Sequence, residues 1–368
     1  MSDFAGLFTV LPDPRASNAR HRLTDVLLIA FAASLCGAQA CSDMALFARA
    51  KLEVLRRLVP LRHGAPSHDT FSRVFRLLDP EAFEGVFRRF ALGFAERLSG
   101  LRGLEGEVVA LDGKSLACAA EAGARSTPIH LVTAWAAEQR LVLAVRRAPG
   151  RSETQAALDL VETLDLLGAV VTADALHGTR AMSQAIRARG GHYALAIKGN
   201  RGPLHRAMRE LLADPDPARA ATTTETAHGR YEERRAWTVA APADWPERFG
   251  FIDLAAVARV DALRRFGAKE ERQSRFYVLS RPMEPDQALH VIRAHWTIEN
   301  SQHWALDVLM DEDRNRARKD NAAENLARLR RLVLNLLRAD PEKASLRGKM
   351  KKAGWQDDYL FSLISQMR

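Results

Sequence analysis

Residues 107–116, EVVALDGKSL, mark the point at which the sequence changes from a helical to an extended pattern. A short apolar run, residues 108–111, ends at Asp112 and is followed by Gly, Lys and Ser. Runs of this length that are rich in Val and Leu are typical of buried strands. Two similar runs follow, HLVTAWAAE (130–138) and RLVLAVRRA (140–148), so the sequence predicts three successive strands.

Helical and extended patterns alternate after these three strands. The predicted order is a helix (154–168), a strand (169–174), a helix (178–190), a strand (192–199) and a helix (202–214). This order predicts the α/β class and, within it, an RNase H-like mixed sheet with helices on both faces. Other mixed α/β folds share the same order.

The flanking segments differ from this central pattern. Residues 23–98 have a helical pattern punctuated by Pro and Gly, which predicts an all-helical N-terminal region of about four helices, one of them over 42–58. The glycine-punctuated stretch 99–107 predicts a boundary between a helical domain, 1–100, and a catalytic domain, 101–368. Within the second domain, residues 214–282 predict a β-rich insertion, after which a long helix spans 284–310.

The composition favours a globular protein with a polyanionic partner. Of 368 residues, 47% are hydrophobic and 27% charged, and Lys plus Arg (54) exceed Asp plus Glu (45) by +9. A basic excess favours nucleic acid binding because phosphate contacts release counterions. Three unpaired cysteines predict a reducing cytosol. The longest apolar run, residues 26–36, falls short of the ~20 residues that span a bilayer, so no membrane association is predicted.

Two aspartates follow apolar runs in neighbouring positions of the predicted sheet. Asp112 ends the run VVAL and Asp174 ends the run AVVTA. A carboxylate at the end of a buried strand is costly to desolvate unless it faces a cleft, a cation or hydrogen-bond donors. The pair therefore predicts a shared cleft, although each Asp could instead cap the turn that follows it.

A third carboxylate, Glu299, lies in HWTIENSQHW, residues 295–304. With Asp112 and Asp174 it would supply hard oxygen ligands that suit Mg²⁺ or Mn²⁺. Two such ions support phosphoryl transfer by activating a water or a 3′-hydroxyl and stabilising the leaving oxygen. An alternative is a zinc site, because His295, Glu299 and His303 would share one stripe of a regular helix.

In combination, these motifs resemble the DDE transposases of bacterial insertion sequences, in the H-repeat-associated branch. The resemblance rests on VALDGKSL (109–116), TADALH (172–177) and HWTIENSQHWALDVLMDED (295–313), in this order around a β-rich insertion. PSHDTFSRVFRLLDP (66–80) and HGRYEERR (228–235) extend it over nearly the whole chain.

The resemblance implies an RNase H-like fold in which Asp112, Asp174 and Glu299 form the metal-binding triad. It further implies that the triad binds two Mg²⁺ or Mn²⁺ ions and that Asp112 bridges both. The implied activity is cleavage of DNA at the ends of the element and strand transfer into target DNA. One feature departs from the wider group, which carries a Tyr, Arg, Glu, Lys signature around the glutamate. The matching positions here are Ile292, His295, Glu299 and Leu306.

The remaining candidate residues surround this triad or carry positive charge. His177, Asn300 and His303 are expected to support the carboxylates. The expected DNA contacts are Lys114, Lys198, Arg230, Arg234, Arg235, His295, Arg314, Arg316, Arg318 and Lys319. Each of these residues could instead belong to a solvated face.

The expected partners are double-stranded DNA, comprising terminal inverted repeats and target, and a second copy of the chain. The expected location is the cytoplasm, in association with the nucleoid. Two other functions stay open: a metal nuclease that cuts without joining, and a domesticated copy that binds DNA without cutting.

Overall fold

The computed structural model describes residues 8–99, 104–120, 128–148, 150, 152–227 and 229–366. Two sequence-based expectations fall outside these ranges: the domain boundary at residues 100–101 and His228 of the HGRYEERR motif.

The N-terminal region is helical, as the sequence predicts. Its helices are α1 (Leu23–Leu35), α2 (Cys41–Ala50), α3 (Leu52–Leu55), α4 (His68–Leu77) and α5 (Pro80–Ser99). Ser67 caps α4 by accepting a hydrogen bond from the Thr70 N–H, which satisfies one of the free donors at the helix start. The prediction of one helix over 42–58 is wrong, because the helix is interrupted at Lys51. The ammonium group of Lys51 donates a hydrogen bond to the Asp357 carboxylate at 2.7 Å.

In the described part of the chain, nine strands form one mixed sheet. They are β1 (Val108–Ala120), β2 (Pro128–Ala136), β3 (Leu141–Arg147), β4 (Val170–Ala173), β5 (His192–Ile197), β6 (Ala221–Ala227), β7 (Arg230–Ala240), β8 (Ala256–Phe266) and β9 (Lys269–Leu279). The sheet order is β3-β2-β1-β4-β5-β9-β8-β7-β6. Strands β1, β4 and β5 are parallel, and β2 and β3 are antiparallel to their neighbours. This arrangement of β1–β5 confirms the RNase H-like sheet.

Strand β1 continues beyond Asp112, where the apolar pattern ends. Residues 112–116 pair with β2, whereas the pairing of β1 with β4 stops at Leu111. Asp112 therefore lies at the point where the parallel part of the sheet ends while the hairpin with β2 goes on.

The β-rich insertion extends the central sheet rather than forming a separate one. Strands β6–β9 are antiparallel to one another, and β9 pairs with β5 from Ala194 to Ile197. One short helix, α9 (Trp245–Phe249), lies within the insertion and ends at Gly250, which has a positive φ of 72°.

The other helices are α6 (Glu153–Glu162), α7 (Arg180–Ala188), α8 (Gly202–Leu211), α10 (Pro285–His295), α11 (Trp304–Val308), α12 (Ala322–Ala339), α13 (Leu346–Trp355) and α14 (Asp357–Ser365). A π-helical segment, Ile298–His303, separates α10 from α11. None of the described helices combines the length and apolarity that a membrane span requires.

Helices cover both faces of the sheet near β1. Successive side chains of a strand point to opposite faces, and the Cβ position of Gly113 faces Glu153 of α6, whereas Asp112 faces His303 of the π-helical segment. Helix α6 and the π-helical segment therefore lie on opposite faces.

Helix α12 joins the helical region to the sheet. It packs against α1, α4 and α5 and against strand β3. The amide of Asn335 binds both the N–H and the C=O of Val142, at 2.8 and 2.7 Å. These bonds satisfy backbone groups that an edge strand would otherwise leave unpaired.

Candidate active site

The three predicted carboxylates line one cleft of about 190 Å³ at the end of the parallel strands. Asp112 comes from β1, Asp174 directly follows β4, and Glu299 comes from the π-helical segment. Parallel strands carry their C-terminal ends to the same edge of a sheet, which explains why two residues far apart in sequence meet there.

The carboxyl group of Asp112 is largely withdrawn from solvent. Burial raises the pKa of its carboxyl group to about 7, and the charges of Glu299, Asp174 and Glu153 act in the same direction. The nearest imidazole, that of His303, has its Nδ1 3.6 Å from the Asp112 Oδ2. It offers little compensating charge, because burial lowers the pKa of His303 to about 3.

Asp174 both caps the turn that follows it and lines the cleft, the two alternatives that the sequence leaves open. Its Oδ1 accepts hydrogen bonds from the backbone N–H groups of Leu176 at 3.0 Å and His177 at 3.4 Å, so it caps the turn after β4. Its side chain is nevertheless 47% exposed and lines the cleft. Capping therefore fixes the carboxylate while leaving part of it accessible.

The donor set of this cleft fits a hard divalent cation. Three carboxylates supply oxygen ligands only, and a cation would relieve the repulsion that raises the Asp112 pKa. As they stand, no three or more His, Cys, Asp or Glu side chains among the described residues converge closely enough to hold a metal ion. The chemistry and charge of the residues fit Mg²⁺ or Mn²⁺, and binding would draw the carboxylates together.

Glu299 lies in irregular helix, which the sequence does not predict. The expected continuous helix over 284–310 is wrong, because α10 ends at His295 and the π-helical segment begins at Ile298. Single π-helical turns inside helices are frequent at functional sites. In the wider π-helical turn, residues four apart no longer lie on one face of the helix. The zinc alternative, which requires His295, Glu299 and His303 on one face, therefore loses its basis.

His295 faces the sheet from the end of α10. Its Nδ1 lies 3.2 Å from the Thr172 Oγ1, and burial lowers its pKa to about 4. His295 is therefore neutral near pH 7 and brings no positive charge to the position at which the wider group carries an arginine.

Two side chains from distant elements hold the π-helical segment in place. The Trp135 indole Nε1 of β2 donates to the Thr297 Oγ1 at 2.9 Å, and Arg338 of α12 donates to the Ser301 carbonyl at 3.0 Å and to the Gln302 side chain. The Arg338 guanidinium also stacks 4.7 Å from the Trp135 ring centre.

The guanidinium of Arg338 makes these contacts in a buried position, where its charge loses hydration free energy. No described carboxylate pairs with it, and burial lowers its pKa to about 9, so it is still charged at neutral pH. A buried arginine without a carboxylate is unfavourable unless its donors are satisfied. Here the carbonyl and amide oxygens of the π-helical segment satisfy them.

Lys114, two residues after Asp112, has a structural role rather than the predicted DNA contact. Its side chain is 8% exposed, and its ammonium lies 2.9 Å from Asp307 and 3.0 Å from Asp313. These ion pairs tie β1 to the chain that follows Glu299. A fully buried pair between Glu312 and Arg331, at 2.8 Å, fixes the same region to α12.

Glu153, which the sequence does not single out, is an acidic residue on the opposite face of β1 from the cleft. Its carboxylate lies 2.9 Å from the His130 Nε2 and 3.0 Å from the His177 Nε2. Hydrogen bonds from His130 and His177 lower the pKa of Glu153 to about 2. His177 is thus fully buried, with its Nε2 4.0 Å from the Asp174 Oδ1 and hydrogen-bonded to Glu153.

The same contacts explain the glycine after Asp112. A Cβ at Gly113 would lie 2.3 Å from the His130 Nε2 and 2.6 Å from the Glu153 Oε1. Any side chain at this position would push apart the Glu153 cluster, so Gly113 is required by close packing.

The other candidate residues occupy three places. Lys198 lines the cleft, as does Arg275, which no local sequence pattern singles out. Asn300 is exposed beside Glu299, and the basic residues after α11 are also exposed: Arg314, Arg316, Arg318 and Lys319. The basic residues of β7 are paired with strand glutamates: Arg230 and Arg234 with Glu232, and Arg235 with Glu233.

The charge of Asp112 provides a test of the cleft in metal-free protein. The raised pKa means that ionised Asp112 destabilises the fold above pH 7, whereas below about pH 4 the group is protonated in both folded and unfolded chains. We expect Asp112→Asn to raise the unfolding temperature at pH 8 by about 3 °C and to have no effect near pH 4. Thermal unfolding in EDTA measures this, and Asp244→Asn, an exposed acid, is the control. An Asp112→Asn protein less stable than wild type at pH 8 would contradict the assignment.

The anchoring of the π-helical segment provides a second test. Arg338→Met removes the donors to Ser301 and Gln302, so we expect amide hydrogen exchange in residues 298–303 to accelerate by about tenfold or more, or about 1.4 kcal/mol of local stability. Exchange in β4 and β5 should stay unchanged. Arg347→Met, at an exposed arginine, is the control. Unchanged exchange in 298–303 would show that Arg338 does not hold this segment.

Comparison with known proteins identifies the family of this chain. Residues 103–336 match the family model described as "Transposase DDE domain", and residues 5–91 match the one described as "DDE_Tnp_1-associated". "Putative transposase YncI" of Escherichia coli O157:H7 is 31% identical over 97% of this chain and 93% of its own length. "H repeat-associated putative transposase YhhI" of Escherichia coli K12 is 29% identical over 97% of this chain and 96% of its own length.

A distant similarity to a solved transposase structure is also found. The piggyBac transposase synaptic complex with hairpin DNA gives a TM-score of 0.41 at 12% identity, over 96% of this chain and 74% of that one. At this distance the similarity adds nothing to the assignment, which rests on the family model and the relatives. The chain belongs to the DDE transposase family.

Proposed function

We propose that this protein cleaves DNA at the ends of a mobile element and joins those ends to target DNA in a divalent-metal-dependent reaction. The observation that carries the proposal is the convergence of Asp112, Asp174 and Glu299 on one cleft in a chain of this family. Each carboxylate comes from a different part of the fold, so the cleft exists only when the sheet and the π-helical segment are both in place.

In this proposal Asp112, Asp174 and Glu299 hold one or two Mg²⁺ or Mn²⁺ ions. Bound there, such ions supply Lewis-acid activation of a water or a 3′-hydroxyl and charge stabilisation of the leaving oxygen. The chain's own contribution is to fix the carboxylates: turn capping orients Asp174, and Trp135 and Arg338 position the segment that carries Glu299. His303 lies against Asp112 as a neutral group and limits the access of water to its buried side.

Double-stranded DNA is the proposed partner, as terminal inverted repeats and as target. The net charge of +9 supports a polyanionic ligand, and the exposed basic residues between 314 and 319 follow the glutamate-bearing segment directly. Two ends have to be brought together for transposition, which favours a homodimer on DNA. We place this activity in the bacterial cytoplasm at the nucleoid.

We also propose that residues 1–100 and 101–368 are separate domains. The two family matches, 5–91 and 103–336, lie on either side of this division and support it. The contacts of α12 with α1, α4 and α5 would then form the interface between the domains.

The triad is tested by single substitutions that remove one charge each. We expect Asp112→Asn, Asp174→Asn and Glu299→Gln to reduce Mg²⁺-dependent cleavage of a duplex carrying the inverted repeat that borders the gene by about 1000-fold, equivalent to about 4 kcal/mol of barrier. Binding of the same duplex should change by less than about threefold, because no phosphate contact is lost. Asp244→Asn is the matched control, since Asp244 is an exposed acid of the insertion.

The same assay separates the alternatives. Cleavage without joining would identify a nuclease, and binding without cleavage by the wild-type protein would identify an inactive copy. A triad variant that retains substantial cleavage would refute the assignment of that residue.

A further inference from the structure

Arg275 lines the acidic cleft but belongs to the insertion rather than to the RNase H-like strands. It lies on β9, immediately before Phe276, which pairs with Ile197 at the end of β5. Lys198 directly follows Ile197. The insertion strand thus places a guanidinium beside Lys198, at the same end of the sheet as the carboxylates.

The guanidinium of Arg275 is oriented without a carboxylate. It stacks 4.3 Å from the ring centre of Trp296, and its Nη2 donates to the Gln273 Oε1 at 2.9 Å. An arginine held against an aromatic face retains free donors and loses little conformational freedom when it binds an anion.

Other arginines of the insertion are arranged differently. Arg235 pairs with Glu233 at 2.7 Å, and Arg265 pairs with Glu270 at 2.7 Å. No ion pair joins Arg275 to any described carboxylate, although three acids line the same cleft. Its charge is therefore available to a ligand, and the ligand must be negative.

A DNA strand entering this cleft meets an electrostatic obstacle. Until divalent cations bind, its phosphates approach the like charges of Asp112, Asp174 and Glu299, and repulsion at short range in a partly buried site is strong. A cation at the rim that binds the phosphate oxygens bidentately would offset it and fix the strand relative to the carboxylates.

We propose that Arg275 binds the non-bridging oxygens of a phosphodiester in the DNA strand that enters the cleft, and that Trp296 holds the guanidinium in the orientation for this contact. This inference rests on the proposed function of the cleft. It assigns the insertion a direct part in substrate binding, since β9 extends the sheet as far as the reacting strand.

The test compares three variants with the wild-type protein. Arg275→Gln removes the charge but keeps a polar side chain of similar shape, and Arg275→Lys keeps the charge but loses the planar fork. Arg248→Gln is the matched control, because Arg248 also lies over an aromatic ring of the insertion, 5.0 Å from the centre of Phe249, and is absent from the cleft lining.

Two measurements are made on a duplex carrying the inverted repeat that borders the gene. With Mg²⁺, we expect Arg275→Gln to cleave about 100-fold more slowly and Arg275→Lys about tenfold more slowly, with Arg248→Gln close to wild type. With Ca²⁺ in place of Mg²⁺, we expect Arg275→Gln to reduce the slope of log affinity against log salt by about 1, as the loss of one phosphate contact requires.

The two measurements separate this inference from the function on which it rests. Wild-type protein that does not cleave would refute the proposed function, while the salt slope would still decide the role of Arg275. If Arg275→Gln cleaves within about threefold of wild type, or if its salt slope is unchanged, the phosphate contact is overturned. A purely structural role predicts lower thermal stability with an unchanged slope, which would overturn it as well.

Discussion

Repulsion among the carboxylates of one cleft is the constraint that the surrounding structure has to balance. Asp112 is largely buried, and Asp174, Glu299 and Glu153 all raise the cost of its ionisation. Without a cation these groups would move apart, so the fold has to hold each one from outside the cleft. Turn capping holds Asp174, and two histidines hold Glu153.

Glu299 requires the most elaborate support, because it is separated from the sheet by the whole insertion. Its segment is tied to β2 through Trp135, to β1 through the ion pairs of Lys114, and to α12 through Arg338. These ties explain why the motifs that resemble DDE transposases occur together. The lysine of VALDGKSL pairs with two of the three aspartates of the segment ALDVLMDED, Asp307 and Asp313, so the two motifs form one structural unit around the carboxylates.

The sequence predicts those features that depend on local pattern. Short apolar runs locate β1, β4 and β5, and the position of Asp112 and Asp174 at the ends of such runs predicts a shared cleft, which the structure contains. The features that the sequence does not predict depend on how the strands pair with one another and on which face of the sheet each side chain lies. Glu153 packs against β1 only because Gly113 leaves room for it, and Arg275 reaches the cleft only because β9 pairs with β5.

The π-helical segment is missed for a related reason. Its residues have good helical periodicity, and the side chains that stabilise the wider turn, Trp135 and Arg338, lie far away in the sequence. Lys114 shows the opposite error: a lysine beside a strand-end carboxylate indicates a phosphate contact, yet two aspartates near position 310 bury it in ion pairs. Whether a basic residue is free to bind an anion therefore depends on acidic partners that the local sequence does not reveal.

The proposed chemistry requires that Asp112, Asp174 and Glu299 together bind divalent cations. Its most direct test is anomalous diffraction from crystals of the protein soaked in Mn²⁺, recorded for wild type and for Glu299→Gln. We expect manganese bound between the three carboxylates in the wild type, with weaker or single-ion occupancy in the variant. Manganese absent from this cleft at millimolar concentration, or bound there equally well by Glu299→Gln, would contradict it.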